Sequence, residues 1–458
     1  MNSEAYPNLP DSYWLKSTRI VSENQILDGF IRIDSGKITA LSETIVTGDL
    51  PVFDCGNSVI MAGLVDPHVH INEPGRTDWE GFETATKAAA AGGITTLIEM
   101  PLNADPVTTS ANNLELKLRA AEGKTWVNCG FWGGLVPANA DQLDELLKSG
   151  VFGLKAFLTH SGIDEFPNVG ESDLRKGMSA LKKFGLPILA HCELESSNPE
   201  FQRLVNHPES YSAYLASRPD KWETDAVRLM VNLCRETGAR THIVHVASAE
   251  CLPLIREAKK EGLPLTAETC PQYLVFAAEE IPDGDTRFKC APPIRSKANN
   301  DLLWEALMEG TLDFVASDHS PAPPDRKEIE SGNLLKAWGG IAGLQFGLPL
   351  IWTAGQKHGI SLVQLSQWLC SHPARLSGLE KTKGRLAVGS DADLVIWNPE
   401  NEFHVDEKLV QHRHKITPYL NMDLLGVVEW TLVGGQTAWQ AGKPSEKPIG
   451  KTILCGQV

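Results

Sequence analysis

The chain has no CxxC pair, no apolar run approaching the roughly 18 residues of a membrane span, and no lysine- and arginine-rich stripe. Its nine cysteines, at positions 55, 129, 192, 234, 251, 270, 290, 370 and 455, are odd in number and widely scattered. A disulfide framework is dense, even and confined to short chains. These cysteines therefore read as free, mostly buried thiols of a reducing compartment. With 58 acidic against 42 basic residues the net charge is −16, and no zinc-finger spacing is present. A nucleic-acid footprint is excluded on that balance. The opening stretch MNSEAYPNLPDSYW lacks the charged-then-apolar pattern of a signal peptide. The expectation is a cytoplasmic protein that meets neither nucleic acid nor membrane.

What the chain does have is apolar material: 42% of its 458 residues are hydrophobic and 22% charged, enough for two packed units. Residues 1–58 read as short strands and turns, with DGFIRIDSGKITAL forming a hairpin about Ser35-Gly36-Lys37. Residues 383–458 behave likewise: GRLAVGSDADLVIW supplies two short runs and EWTLVGGQTAWQ turns on Gly434-Gly435. The two β-rich ends are expected to pair in one small sandwich. Between them, over 59–382, eight short apolar runs alternate with helix-like segments. The runs lie at 59–66, 94–100, 127–135, 151–158, 186–191, 241–246, 263–269 and 312–318. Most are apolar on both faces, as parallel strands covered on both sides must be. Eight such alternations define an α/β fold, a (β/α)8 barrel. A doubly wound open sheet is the alternative, but no GxGxxG opens a helix after the first strand.

Barrel active sites lie at the C-terminal ends of the strands, and those ends carry polar residues here. The first run ends in His68 and His70, the fourth holds Lys155, and the fifth ends at His191. The sixth offers His245, and the eighth ends at Asp318. Alternation along a strand puts both rings of His68-Val69-His70 on one face. His242 has the opposite parity to His245 and sits at the strand start, where barrels keep stability residues, so His245 is the chosen candidate. Burial lowers the pKa of a lysine such as Lys155, leaving a neutral amine able to add CO2. The resulting carbamate has two anionic oxygens that can bridge two cations. Four histidines, a carbamate and an aspartate suit two divalent ions, zinc first, with iron, cobalt or manganese also compatible. Such ions activate water and polarise a carbonyl, and Asp318 would carry the proton from a bridging hydroxide's parent water to a leaving nitrogen. The chemistry expected is hydrolysis of a carbon–nitrogen bond.

At these residues the sequence resembles the cyclic amidohydrolases, the group of hydantoinases, dihydropyrimidinases, dihydroorotases and allantoinases. The likeness spans nearly the whole chain and includes GSDADLVIWNP near its end. It implies that His68, His70 and Asp318 hold one ion, His191 and His245 the other, and carboxylated Lys155 both. It also implies a homotetramer or homodimer and a small-molecule substrate. The stretches HVHINEPGRTDWEGF, IEMPLN, FWGGLVP, KCAPPIR, SDHSPAPP and KAWGGIAGLQ resemble the branch that opens a ureide ring.

A physical contrast agrees. Dihydroorotases typically have HxHxR, whose arginine holds a substrate carboxylate, whereas the equivalent position here is Asn72. An amide suits a neutral ring and would forfeit a buried charged contact of roughly 2–5 kcal/mol. By analogy the backbone near Ala291 and Gly339 binds the cyclic amide, and Asn103 is a structural turn residue. Hydantoinases usually carry a tyrosine five residues after the bridging lysine. Here that residue is His160, which leaves the oxyanion contact open. His245-Val246-Ala247-Ser248 and Cys270-Pro271-Gln272-Tyr273 depart from the group's HVSS and CPHY without removing a metal ligand. A hydantoinase or dihydropyrimidinase is the enzymatic alternative. A non-catalytic binding protein on the same fold is another, but such relatives lose ligands and this chain keeps all six.

Overall fold

The computed structural model describes residues 9–45, 50–137 and 139–456. Both ends of the chain enter one nine-stranded sheet. Ser12–Val21 pairs antiparallel with Ile26–Asp34, which pairs with Lys37–Ser42 across the Ser35-Gly36 turn. From the other end, Leu394–His404, Asp423–Val433 and Gln436–Gln440 form an antiparallel meander turning at Gly434-Gly435. Val59–Ala62 joins the halves, parallel to Ser12–Val21 and antiparallel to Leu394–His404, with Ile60 opposite Ile396. Alternation decides what faces inward: Ile31 and Ile33 are fully buried while Arg32 between them is not. The sheet curls into the expected sandwich. Phe53 makes edge contacts with Tyr13 and with Trp430, and the Tyr13 hydroxyl donates to Gly435 O at 2.7 Å.

The barrel follows. Its strands are β1 (Leu64–Val69), β2 (Ile94–Glu99), β3 (Asn128–Phe131) and β4 (Leu154–Phe157). They continue as β5 (Ile188–His191), β6 (Thr241–Ile243), β7 (Leu265–Thr269) and β8 (Phe314–Val315). All pairings among them are parallel, and nearly every strand residue is buried. Gly133–Gly134 prolongs the third strand and bonds to β4, and His70 N donates to His319 O at 2.8 Å to close the ring. Helices cover the outside. Asp220–Thr237 stops at Gly238, and Lys297–Glu309 is capped by Ser296 and stops at Gly310, both glycines being left-handed.

The first apolar run, 59–66, divides between the two layers. Val59–Ala62 belongs to the sandwich and β1 begins only at Leu64. Gly63 marks the crossing, for a Cβ there would stand 2.2 Å from the Thr95 side chain. The first of the two runs read in GRLAVGSDADLVIW is a turn region, and only its second half enters a strand. All nine cysteines are unpaired and eight are buried. Among the described residues no helix is long and apolar enough to cross a membrane.

Candidate metal centre

The C-terminal ends of the barrel strands enclose a cavity of about 950 Å³, and His68, His70, Lys155, His191, His245 and Asp318 all line it. Asp318 Oδ1 lies 3.1 Å from His68 Nε2 and 3.6 Å from His70 Nε2. The His245 ring is 4.6 Å from that of His191 and 5.5 Å from that of His68. Donor atoms of His68, His245 and Asp318 all fall within 4.8 Å of one another.

Three of the four rings, those of His68, His70 and His191, are aimed by a hydrogen bond on one nitrogen. His68 Nδ1 bonds Glu268 Oε1, and His70 Nδ1 bonds Leu102 O at 2.7 Å, which leaves both Nε2 atoms toward Asp318. His191 Nε2 bonds Glu193 Oε2 at 2.8 Å, and Arg218 clamps the same carboxylate. A histidine oriented by a carboxylate or carbonyl behind it is the habit of metal ligands. Asp66, one turn of alternation before His68, accepts from His68 N and Ser317 N and ties β1 to β8 just below the cluster.

The donor set fits divalent metal on an observation internal to the site. Lys155 Nζ is fully buried without a hydrogen-bond partner among the described residues, and so is His245 Nδ1. Buried polar atoms are normally paired. Burial brings the Lys155 amine down to about 8 and pushes His68 and His245 well below the usual imidazole range. His191 is lowered by burial too, against the pull of Glu193. Glu193 itself is down to about 2, because Arg218 and His191 outweigh its burial. Burial thus favours neutral imidazoles at His68, His191 and His245 and makes the neutral amine of Lys155 more accessible.

Two of these six residues sit in strained backbone. His245 has φ 38° and Asp318 φ 45°, in the left-handed region that ordinary residues avoid. Both lie beyond the last residue of their strand, so alternation no longer governs them. That defeats the parity argument applied to His242. His242 points into the barrel as well, one level below the cluster. It donates Nε2–H to Glu268 at 3.0 Å and meets Thr266 Oγ1 through Nδ1 at 2.8 Å.

The expected substrate contacts fall unevenly. Ala291 and Gly339 both line the cavity and stand together: a Cβ at Gly339 would lie 3.5 Å from that of Ala291. Asn72 is fully buried with φ 67°, and its amide faces Pro321 O at 3.4 Å and the Asn103 amide at 3.2 Å. It does not line the cavity, whereas Asn103 does. Asn103, expected as a turn residue, faces the cavity, with Asn72 behind it. His160 stands on an exposed loop at the rim, near Asp164. Glu268, Glu193 and Asp66 were not read from the sequence. A carboxylate inside the apolar run LPLTAET was the available signal for Glu268.

A closed barrel with imidazoles, a buried lysine and an aspartate at its mouth defines a metal-dependent hydrolase of the amidohydrolase class. The chain belongs to the amidohydrolase family, whose profile matches residues 59–438. Among its relatives, the allantoinase of Arabidopsis thaliana is 46% identical over 97% of this chain and 91% of that protein. The allantoinase of Escherichia coli is 38% identical over 96% of this chain and 98% of its own length. Among solved structures, the L-hydantoinase (dihydropyrimidinase) from Arthrobacter aurescens superposes with a TM-score of 0.90 at 32% identity, covering 97% of this chain and all of that one.

Proposed function

We propose that this protein is an allantoinase that opens the hydantoin ring of allantoin to give allantoate, consuming one water. The observation that carries the reading is the convergence of all six nitrogen and oxygen donors on one cavity around an unpartnered lysine. The 46% identity to a plant allantoinase over nearly the whole chain supports the choice of substrate. Two divalent ions, zinc first, supply water activation and carbonyl polarisation when bound. His68, His70 and Asp318 would hold one, His191 and His245 the other, and the Lys155 carbamate both. The neutral Lys155 amine adds CO2 and releases one proton in forming that carbamate.

The chain's own groups do the rest. Asp318 is the general base beside His68 and His70, taking the proton of the attacking water and returning it to the ring nitrogen as the amide bond breaks. Backbone groups at Ala291 and Gly339 hold the cyclic amide, and Asn103, braced by Asn72, presents a neutral amide to a neutral ring. Nine unpaired thiols support a cytoplasmic setting, and a homotetramer or homodimer is the assembly proposed.

Assays offering allantoin, hydantoin, dihydrouracil and dihydroorotate side by side decide the substrate. Brisk turnover of dihydrouracil with negligible turnover of allantoin sinks this reading. It would favour the hydantoinase or dihydropyrimidinase alternative, for which the likeness to the Arthrobacter enzyme speaks.

A further inference from the structure

Ala291 and Gly339 lie on two irregular stretches of chain that no strand ladder holds at a fixed spacing. Lys327 spans them. The residue is 3% exposed, and its ammonium donates to Lys289 O at 2.7 Å, Trp338 O at 3.1 Å and Gly340 O at 2.6 Å. One acceptor precedes Ala291 by two positions and the other two flank Gly339. An ammonium has three donors, and here all three are spent on main-chain carbonyls. Lys289 crosses the same gap in the opposite direction, its ammonium donating to Ala337 O and, at 3.5 Å, to Leu335 O. Burial draws Lys327 down to about 7. Placing a cation there costs free energy, which the three carbonyl dipoles offset only in part.

We propose that Lys327 is a positioning residue for substrate binding, fixing the spacing between the Ala291 and Gly339 backbone so that both meet the cyclic amide. The inference rests on the reading that these backbone groups contact the ring. Contacts that hold the ring equally in ground state and transition state add uniform binding, so losing their register raises KM more than it lowers kcat.

The test is Lys327→Met in the full-length, metal-loaded protein, assayed with allantoin and with hydantoin because both present the same ring amide. KM is expected to rise about tenfold or more, with kcat within about threefold and with metal content equal to that of the unaltered protein. Kinetic constants within about twofold of the unaltered protein overturn the proposal. So does a joint fall of kcat and metal content at constant KM. If the unaltered protein opens hydantoin but not allantoin, the substrate reading fails while the role of Lys327 is still decided on hydantoin. Should Lys327→Met fail to fold, Lys327→Gln, which keeps two donors, is judged by the same split. Failure of both to fold assigns the lysine to the fold alone and overturns the proposal.

Discussion

Glu268 stands directly behind His68, its Oε1 on the ring's Nδ1 and both side chains wholly buried. When Nε2 serves a metal, Nδ1 carries the hydrogen and Glu268 accepts it as a carboxylate. Burial and the neighbouring Asp318 charge push Glu268 up to about 8, against Lys155 and the His245 backbone N–H, so a hydrogen on His68 Nδ1 favours the ionised form further. Glu268→Gln should weaken metal affinity roughly 10- to 100-fold, read by competition with a chelator, and activity should return at excess metal. Unchanged metal affinity would mean that this hydrogen bond does not tune the ligand.

Lys155→Ala should be inactive, by about a thousandfold or more if the lysine supplies a ligand shared by both ions. Added acetate or propionate should restore part of the rate, since a short carboxylate can occupy the place of the carbamate. Wild-type-like activity without added acid would remove Lys155 from the centre.

Stripping the metal should abolish activity and lower the melting temperature, because a ligand bound only by the folded state stabilises it. Reactivation with zinc and bicarbonate has a defined pH dependence. The Lys155 amine, brought down by burial to about 8, is the CO2 acceptor only when neutral, and its neutral fraction grows as pH rises through that value. Reactivation at fixed dissolved CO2 should therefore be faster at pH 9 than at pH 7. A rate independent of pH would argue against carboxylation.

His412 makes a separate, non-catalytic prediction. It is fully buried, neither ring nitrogen has a hydrogen-bond partner among the described residues, and burial lowers it to about 3 despite nearby Glu80. Below the usual histidine value of 6.5 the unfolded chain takes up a proton that folded His412 refuses. Stability is then lost as pH falls from 6.5 toward 3, by about 1.4 kcal/mol per pH unit for one such group. His412→Met should show a smaller fall in melting temperature between pH 7 and pH 5 than the unaltered protein. Equal slopes would assign the acid sensitivity to other groups.

Much of this site is legible in the sequence because its residues stand out against apolar strands. A lysine in VFGLKAFL or a histidine closing LPILA has few bland explanations once its neighbours are buried. What escaped depends on backbone angles and on partners distant in sequence. The left-handed turn at Asn72 swings its amide behind Asn103, so that Asn103 and not Asn72 lines the cavity. His245 sits past its strand, so counting alternation from His242 misplaced the latter. The division of the run 59–66 was likewise invisible, because apolar residues serve a sandwich strand and a barrel strand equally well. Only the tight approach at Gly63 separates them.

The seat of Val59–Ala62 between Ser12–Val21 and Leu394–His404 also bears on how the molecule is made. The strand that leads directly into β1 has one edge that stays open until Leu394–His404 has been synthesised. During translation Val59–Ala62 is an apolar strand with one unpaired edge, a hazard for mispairing. The order of synthesis therefore leaves an aggregation-prone edge just upstream of His68 until Leu394–His404 arrives to cover it.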